Sequence, residues 1–191
     1  MNNIKTFENF NNKNIFKFIA DDDIESVKNY INSGYDLNIQ NNNGNTGLIY
    51  AVDNDKHEIV KLLVSAGADI NKQDNNGDTA LISAVLYNRS EIIELLLNYG
   101  ADIDKQNNNG NNALIWAAYE NNREIIELLL DYGADEFILN NDNKSFYDYL
   151  NDENKEYFTQ NYPTSVYNAI YHKYKKSFTD FVKDYNIKIK K

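Results

Sequence analysis

Gly77-Asp78-Thr79-Ala80-Leu81-Ile82-Ser83-Ala84 opens a segment that continues through Ile92-Ile93-Glu94-Leu95-Leu96-Leu97 to Gly100-Ala101-Asp102-Ile103-Asp104. Ala80, Leu81, Ala84 and Val85 fall at i, i+1, i+4 and i+5, one stripe of a short helix. Ser90 stands ahead of Glu91, Ile92 and Ile93 as an N-cap would. Ile92, Ile93, Leu95, Leu96 and Leu97 predict a second helix, apolar over much of its girth, as suits a helix sandwiched between neighbours. Gly100 follows where a left-handed residue ends a helix. The polar run from Asp102 to Asn111 carries Asn109-Gly110, a strong tight-turn signal. The segment reads helix, turn, helix, extended finger.

The pattern recurs along the chain. Gly34, Gly67, Gly100 and Gly133 are each 33 residues apart, and Gly44, Gly77 and Gly110 keep the same step. Thr46-Gly47-Leu48-Ile49, Thr79-Ala80-Leu81-Ile82 and Asn112-Ala113-Leu114-Ile115 follow the second series in register. One such unit cannot bury its apolar helix faces alone, whereas several stacked units can.

The unit resembles the ankyrin repeat, whose pattern runs roughly G-x-T-P-L-H-x-A, a turn, I-V-x-x-L-L, then G-A-D-V-N. The departures are regular. The family proline is Gly47, Ala80 and Ala113 here, and the family histidine is Ile49, Ile82 and Ile115. That loss puts the histidine hydrogen-bond network in doubt but not the fold, because an apolar residue there can be buried. The resemblance implies an all-α solenoid of helix-turn-helix units with β-turn fingers. Units are placed at 11–43, 44–76, 77–109 and 110–142, after a leader at 1–10. The first unit is degenerate, with Ser26 and Asn29 at apolar positions, as a cap would be. A degenerate fifth unit is placed at 144–163, with Phe146, Tyr147 and Leu150 in its first helix and Phe158 and Tyr162 in its second.

Residues 164–191 differ in kind. They carry seven lysines against Asp180 and Asp184, while the chain as a whole has a net charge of -10. Val166, Ile170, Tyr174, Phe178, Phe181 and Tyr185 recur at steps of three and four, one face of an amphipathic helix. A C-terminal cap is the expectation, with a membrane- or nucleic-acid-binding basic helix as the alternative.

Composition excludes several chemistries. The 191 residues include no cysteine, so disulfides, thiolate metal sites and a cysteine nucleophile are out. Two histidines, His57 and His172, leave little for a histidine metal site. The Asn/Asp-rich fingers fail the calcium-loop spacing, since Lys72 stands five before Gly77 and Ser83 six after. Asp21-Asp22-Asp23 reads as acids at a helix N-terminus rather than a metal site. No phosphate-cradling glycine loop or Ser-His-Asp arrangement stands out, so no enzyme, metal or cofactor is expected. No apolar run reaches membrane-spanning length, and no secretory signal opens the chain. The cytoplasm is expected, with delivery into a host cell as the alternative.

What remains is surface recognition. The resemblance implies docking on the concave side, made by finger tips and the exposed edges of first helices. Carried over position by position, this gives Tyr50, Asp53, Asp78, Leu86, Tyr87, Asn111, Trp116, Tyr119 and Glu120. Tyr and Trp are enriched at interface hot spots, so Tyr50, Tyr87, Trp116 and Tyr119 are the expected anchors. Asparagine numbers 34; this reads as a compositional bias, and the fingertip asparagines as mostly structural. The expected role is a non-catalytic protein-binding module, monomeric, with a partner of basic or neutral surface and no nucleic acid on the repeats. An effector or inhibitor acting on a host target, or a tether using the basic C-terminal helix, are the alternatives.

Overall fold

The computed structural model describes residues 14–162 and Val166. The expected leader at 1–10 and nearly all of the basic segment at 164–191 lie outside the described residues. The described residues form helices, with no strand and one isolated antiparallel bridge between Gln40 and Thr46. They divide into two compact units, 1–102 and 103–191.

The first unit holds α1 (Asn14–Ala20), α2 (Ile24–Asn32), α3 (Gly47–Asp53), α4 (His57–Ser65), α5 (Ala80–Leu86) and α6 (Ser90–Asn98). These pair as hairpins, α1 with α2, α3 with α4 and α5 with α6. First helices stack on first helices and second on second, α1 on α3 on α5 and α2 on α4 on α6. The second unit holds α7 (Ala113–Tyr119), α8 (Arg123–Asp131), α9 (Phe146–Tyr149) and α10 (Asp152–Asn161). In it α7 packs against both α8 and α9.

The first helices begin where the sequence places a cap. Thr46, Thr79 and Asn112 accept from the backbone N–H of Ile49, Ile82 and Ile115 at 3.2, 3.3 and 2.9 Å. Each such bond satisfies a helix-end donor and contributes about 1 kcal/mol. Those three isoleucines, in place of the family histidine, are almost wholly buried. At seven residues these helices are marginal in isolation, so tertiary burial supplies their stability.

The second helices differ in two respects from the expectation. α6 starts at Ser90, and Arg89 occupies the cap position with no side-chain cap bond. The turn ends earlier because Asn88 takes φ 57°. Asp22, Asp55 and Asn121 do the same at 33-residue steps, with φ of 56°, 57° and 53°. Asn and Asp tolerate this left-handed region better than other side chains. Lys56 and Arg89, at the uncapped starts of α4 and α6, reach the turn acids Asp22 and Asp55 of the preceding hairpin at 3.3 and 3.0 Å. The girth of α6 is also less apolar-facing than expected. Ile92, Ile93 and Leu96 are buried, while Leu95 and Leu97 are half-exposed. Leu63 and Leu96 in the first unit, and Leu129 in the second, are fully buried. Each contributes roughly 1.5–3 kcal/mol of burial.

The finger asparagines are structural, as expected. Asn41 holds three successive donors: its Oδ1 accepts from the N–H of Asn43 and Asn45 at 2.9 and 3.1 Å, and its carbonyl accepts from Gly44 at 3.0 Å. Asp74, Asn107 and Asn140 repeat the arrangement. Fingers are then laced to one another. Within the first unit Asn75 donates its N–H to Asn43 O at 3.1 Å and its side-chain amide to Asn42 O at 3.0 Å. Within the second, Asn141 does the same to Asn109 O and Asn108 O at 3.0 and 2.9 Å. The approach is close enough that a Cβ on Gly44 would meet Asn75 N at 2.5 Å.

Candidate functional site

The expected site residues fall in both units, and each group stands on its own. In the first unit Tyr50 lies on α3, half-exposed, with its ring 5.6 Å from Phe16 in an edge-on contact. Asp53 ends the same helix. Its Oδ2 accepts from the Asn45 amide at 2.9 Å, while its Oδ1 is buried with no partner in bonding geometry. Burial pushes the Asp53 carboxyl above the usual range. The Ser83 hydroxyl opposes this, and the charges of Asp74 and Asp78 add to it. Asp78, expected on the surface, is only 8% exposed, because its N–H is drawn to Asp74 Oδ1 at 2.8 Å inside the finger. Leu86 ends α5 half-exposed, and Tyr87 follows it, 51% exposed. The structure therefore brings Asp53 together with Asn45, Ser83, Asp74 and Asp78.

In the second unit the aromatic residues form a row. Trp116, half-buried on α7, meets Tyr119 edge-on at 5.6 Å, and Tyr119 meets Tyr149 of α9 at 5.6 Å. Edge-to-face pairs of this kind contribute about 0.5–1.5 kcal/mol beyond burial, so the row is held in a fixed shape. The Asn140 amide fastens its far end, donating to the Tyr149 hydroxyl at 2.7 Å and to Asn111 Oδ1 at 2.8 Å. Lys144 Nζ sits 5.0 Å over the Tyr149 ring. Tyr119 is 57% exposed despite two aromatic neighbours. The Trp116 Nε1–H is buried without an acceptor. Glu120 caps the end of α7 and is exposed.

Tyr149 and Asn140 were not among the expected residues, although a signal existed. Tyr50, Ser83, Trp116 and Tyr149 occupy one register at 33-residue steps. Treating the last unit as decayed hid the fourth member. Ser83, the small member of that register, is buried.

Elsewhere in the first unit a depression of about 440 Å³ is lined by Asp55, His57, Asn88, Arg89, Ser90 and Glu91. Arg89 is paired with Asp55 there at 3.0 Å, and His57 Nδ1 lies 4.0 Å from the Glu91 carboxylate. Among the described residues no cluster of His, Asp or Glu is placed to hold a metal ion, and no helix is long and apolar enough to cross a membrane.

The family model for ankyrin repeats in three copies matches residues 15–107, and that for ankyrin repeats in many copies matches residues 87–130. No curated protein matches the chain. The hairpins capped by Thr46, Thr79 and Asn112, the glycine-ended second helices and the laced fingers are the repeat that these matches describe, and the chain belongs to the ankyrin-repeat family.

Proposed function

We propose that this chain is a non-catalytic module that binds another protein through the first-helix and finger side of its units. Ankyrin repeats generally serve protein–protein interaction and are typically without catalysis. The observation that carries the reading is Tyr119, left more than half exposed while clamped between Trp116 and Tyr149. A large, stiff, amphipathic side chain loses little entropy on docking, which is what hot-spot residues require.

The partner presents basic or neutral surface. The chain carries a net charge of -10, and Asp53, Asp74 and Asp78 gather carboxylates in the first unit. Like-charged partners are disfavoured, and association is accelerated for basic ones at low salt. The test compares wild type with a Trp116→Ala/Tyr119→Ala double variant in affinity capture followed by mass spectrometry. Loss of the same captured protein, with the melting temperature nearly unchanged, supports the reading. An unchanged captured set removes it.

A further inference from the structure

The dipeptide Asn-Gly occurs three times, at Asn43-Gly44, Asn76-Gly77 and Asn109-Gly110, each time at the tip of a finger. All three asparagines are exposed. Glycine is the residue whose backbone nitrogen is least shielded, having no Cβ. We propose that Asn43, Asn76 and Asn109 are sites of spontaneous deamidation, and that the hydrogen bonds within each finger set the rate. In this reaction the glycine amide loses its proton to hydroxide and its nitrogen attacks the asparagine Cγ. The C–N bond of the side-chain amide breaks, ammonia leaves, and a five-membered succinimide remains. Water opens either ring carbonyl, giving aspartate or isoaspartate. The sum is one asparagine and one water to one acid and one ammonia.

The finger guards the attacking atom. Gly44, Gly77 and Gly110 each donate that N–H to the carbonyl three residues earlier, at Asn41, Asp74 and Asn107, at 3.0, 3.0 and 2.9 Å. The N–H groups on either side are held by the same residue's side chain. Attack therefore requires the finger to open, a local event separate from global unfolding. The middle finger is guarded more strongly, because Asp74 puts a carboxylate beside the amide that must become an anion, and the Asn76 side chain itself points to Asp74 Oδ2 at 3.4 Å. The fourth finger is a natural control. There Asn143 takes the glycine's place with φ 58° and is followed by the bulkier Lys144.

The conversion would alter the fold locally. An isoaspartyl link adds a main-chain carbon beside the very carbonyls, Asn43 O and Asn109 O, that accept from Asn75 and Asn141. Each event also adds a negative charge to an already acidic chain.

The experiment incubates the full chain in mildly alkaline buffer, native and in urea, and follows each site by peptide mapping for the amide-to-acid mass gain and for isoaspartate. In the native chain Asn43 and Asn109 should convert ahead of Asn76, with Asn143 unchanged. In urea all three should convert about tenfold faster or more, with the order lost, since opening no longer limits the rate. Asn41→Ala should speed Asn43 while leaving Asn109 as it was, and Asn107→Ala should do the reverse, each checked for native helicity. Equal rates in native and unfolded chain, or no effect of either variant on its own finger, would overturn the proposal.

Discussion

The Asn140 side-chain amide donates to the Tyr149 hydroxyl at 2.7 Å, tying a finger to the aromatic row of the second unit. Asn140 also carries the N–H groups of Asp142 and Lys144, so one side chain shapes the finger and fixes the row. Tyr149→Phe should cost about 1 kcal/mol of stability, the worth of one hydrogen bond. Tyr149→Ala should cost more and free Tyr119, which then lacks one of its edge-on partners. Trp116 is the chain's single tryptophan, so its emission reports on the row directly. The spectrum should shift with Tyr119→Ala and stay close to wild type with Tyr149→Phe. Identical spectra for all three proteins would contradict the packing described here.

Gly44→Ala should destabilise the first unit by roughly 2 kcal/mol or more. It combines a positive φ of 80° with a Cβ 2.5 Å from the Asn75 backbone nitrogen, where nothing flexible can yield. Gly67→Ala is the comparison. Its φ is 87°, yet a Cβ there meets nothing within 4 Å, so only the backbone term of about 1 kcal/mol applies. Urea unfolding of the two variants separates steric approach from conformational preference.

Leu96→Ala should cost about 2–5 kcal/mol, since the side chain is fully buried and leaves a cavity. Leu95→Ala and Leu97→Ala should cost clearly less, both being half-exposed on the same helix. Chemical denaturation of the three gives the ranking, and equal losses would mean that α6 is rotated from the position described.

Asp53 gives a pH dependence of defined sign. Burial raises its folded pKa, so the folded state holds the proton more tightly than the unfolded chain. Its contribution is most favourable below the unfolded carboxylate pKa and is lost as pH rises through the raised folded value. At neutral pH the charged carboxylate is a net cost. Asp53→Asn should raise the urea midpoint at neutral pH, and this gain should shrink as pH falls below the ordinary Asp range. The Asn45 amide can still donate to the new side chain's carbonyl oxygen. The same substitution should weaken a basic partner, giving opposite effects on stability and binding.

Much of the fold was legible because its punctuation is chemical. Gly34, Gly67, Gly100 and Gly133 mark helix ends by their φ, and Thr46 and Thr79 mark helix starts by an acceptor oxygen. Ser90 misled because a good cap residue stood one place inside the helix, while the true determinant was the left-handed Asn88 before it. Asp78 misled for a different reason. Fingertip polarity suggests exposure, but its backbone N–H is held by Asp74 four residues earlier inside the same finger. In the second unit, register placed Trp116 and Tyr119, and the same register reaches Tyr149 on the expected short helix, but the site positions were carried over only to the complete units. Side-chain pairings between distant fingers leave no local periodicity to read.

The lacing between Asn42, Asn43 and Asn75 uses the same donors and acceptors as that between Asn108, Asn109 and Asn141. Within each unit, one finger thus meets the next through the same donors and acceptors. A gene segment encoding one such period could be duplicated or deleted in frame without rewriting the code on either side, so the length of an array of this kind is free to drift over generations while its grammar stays constant.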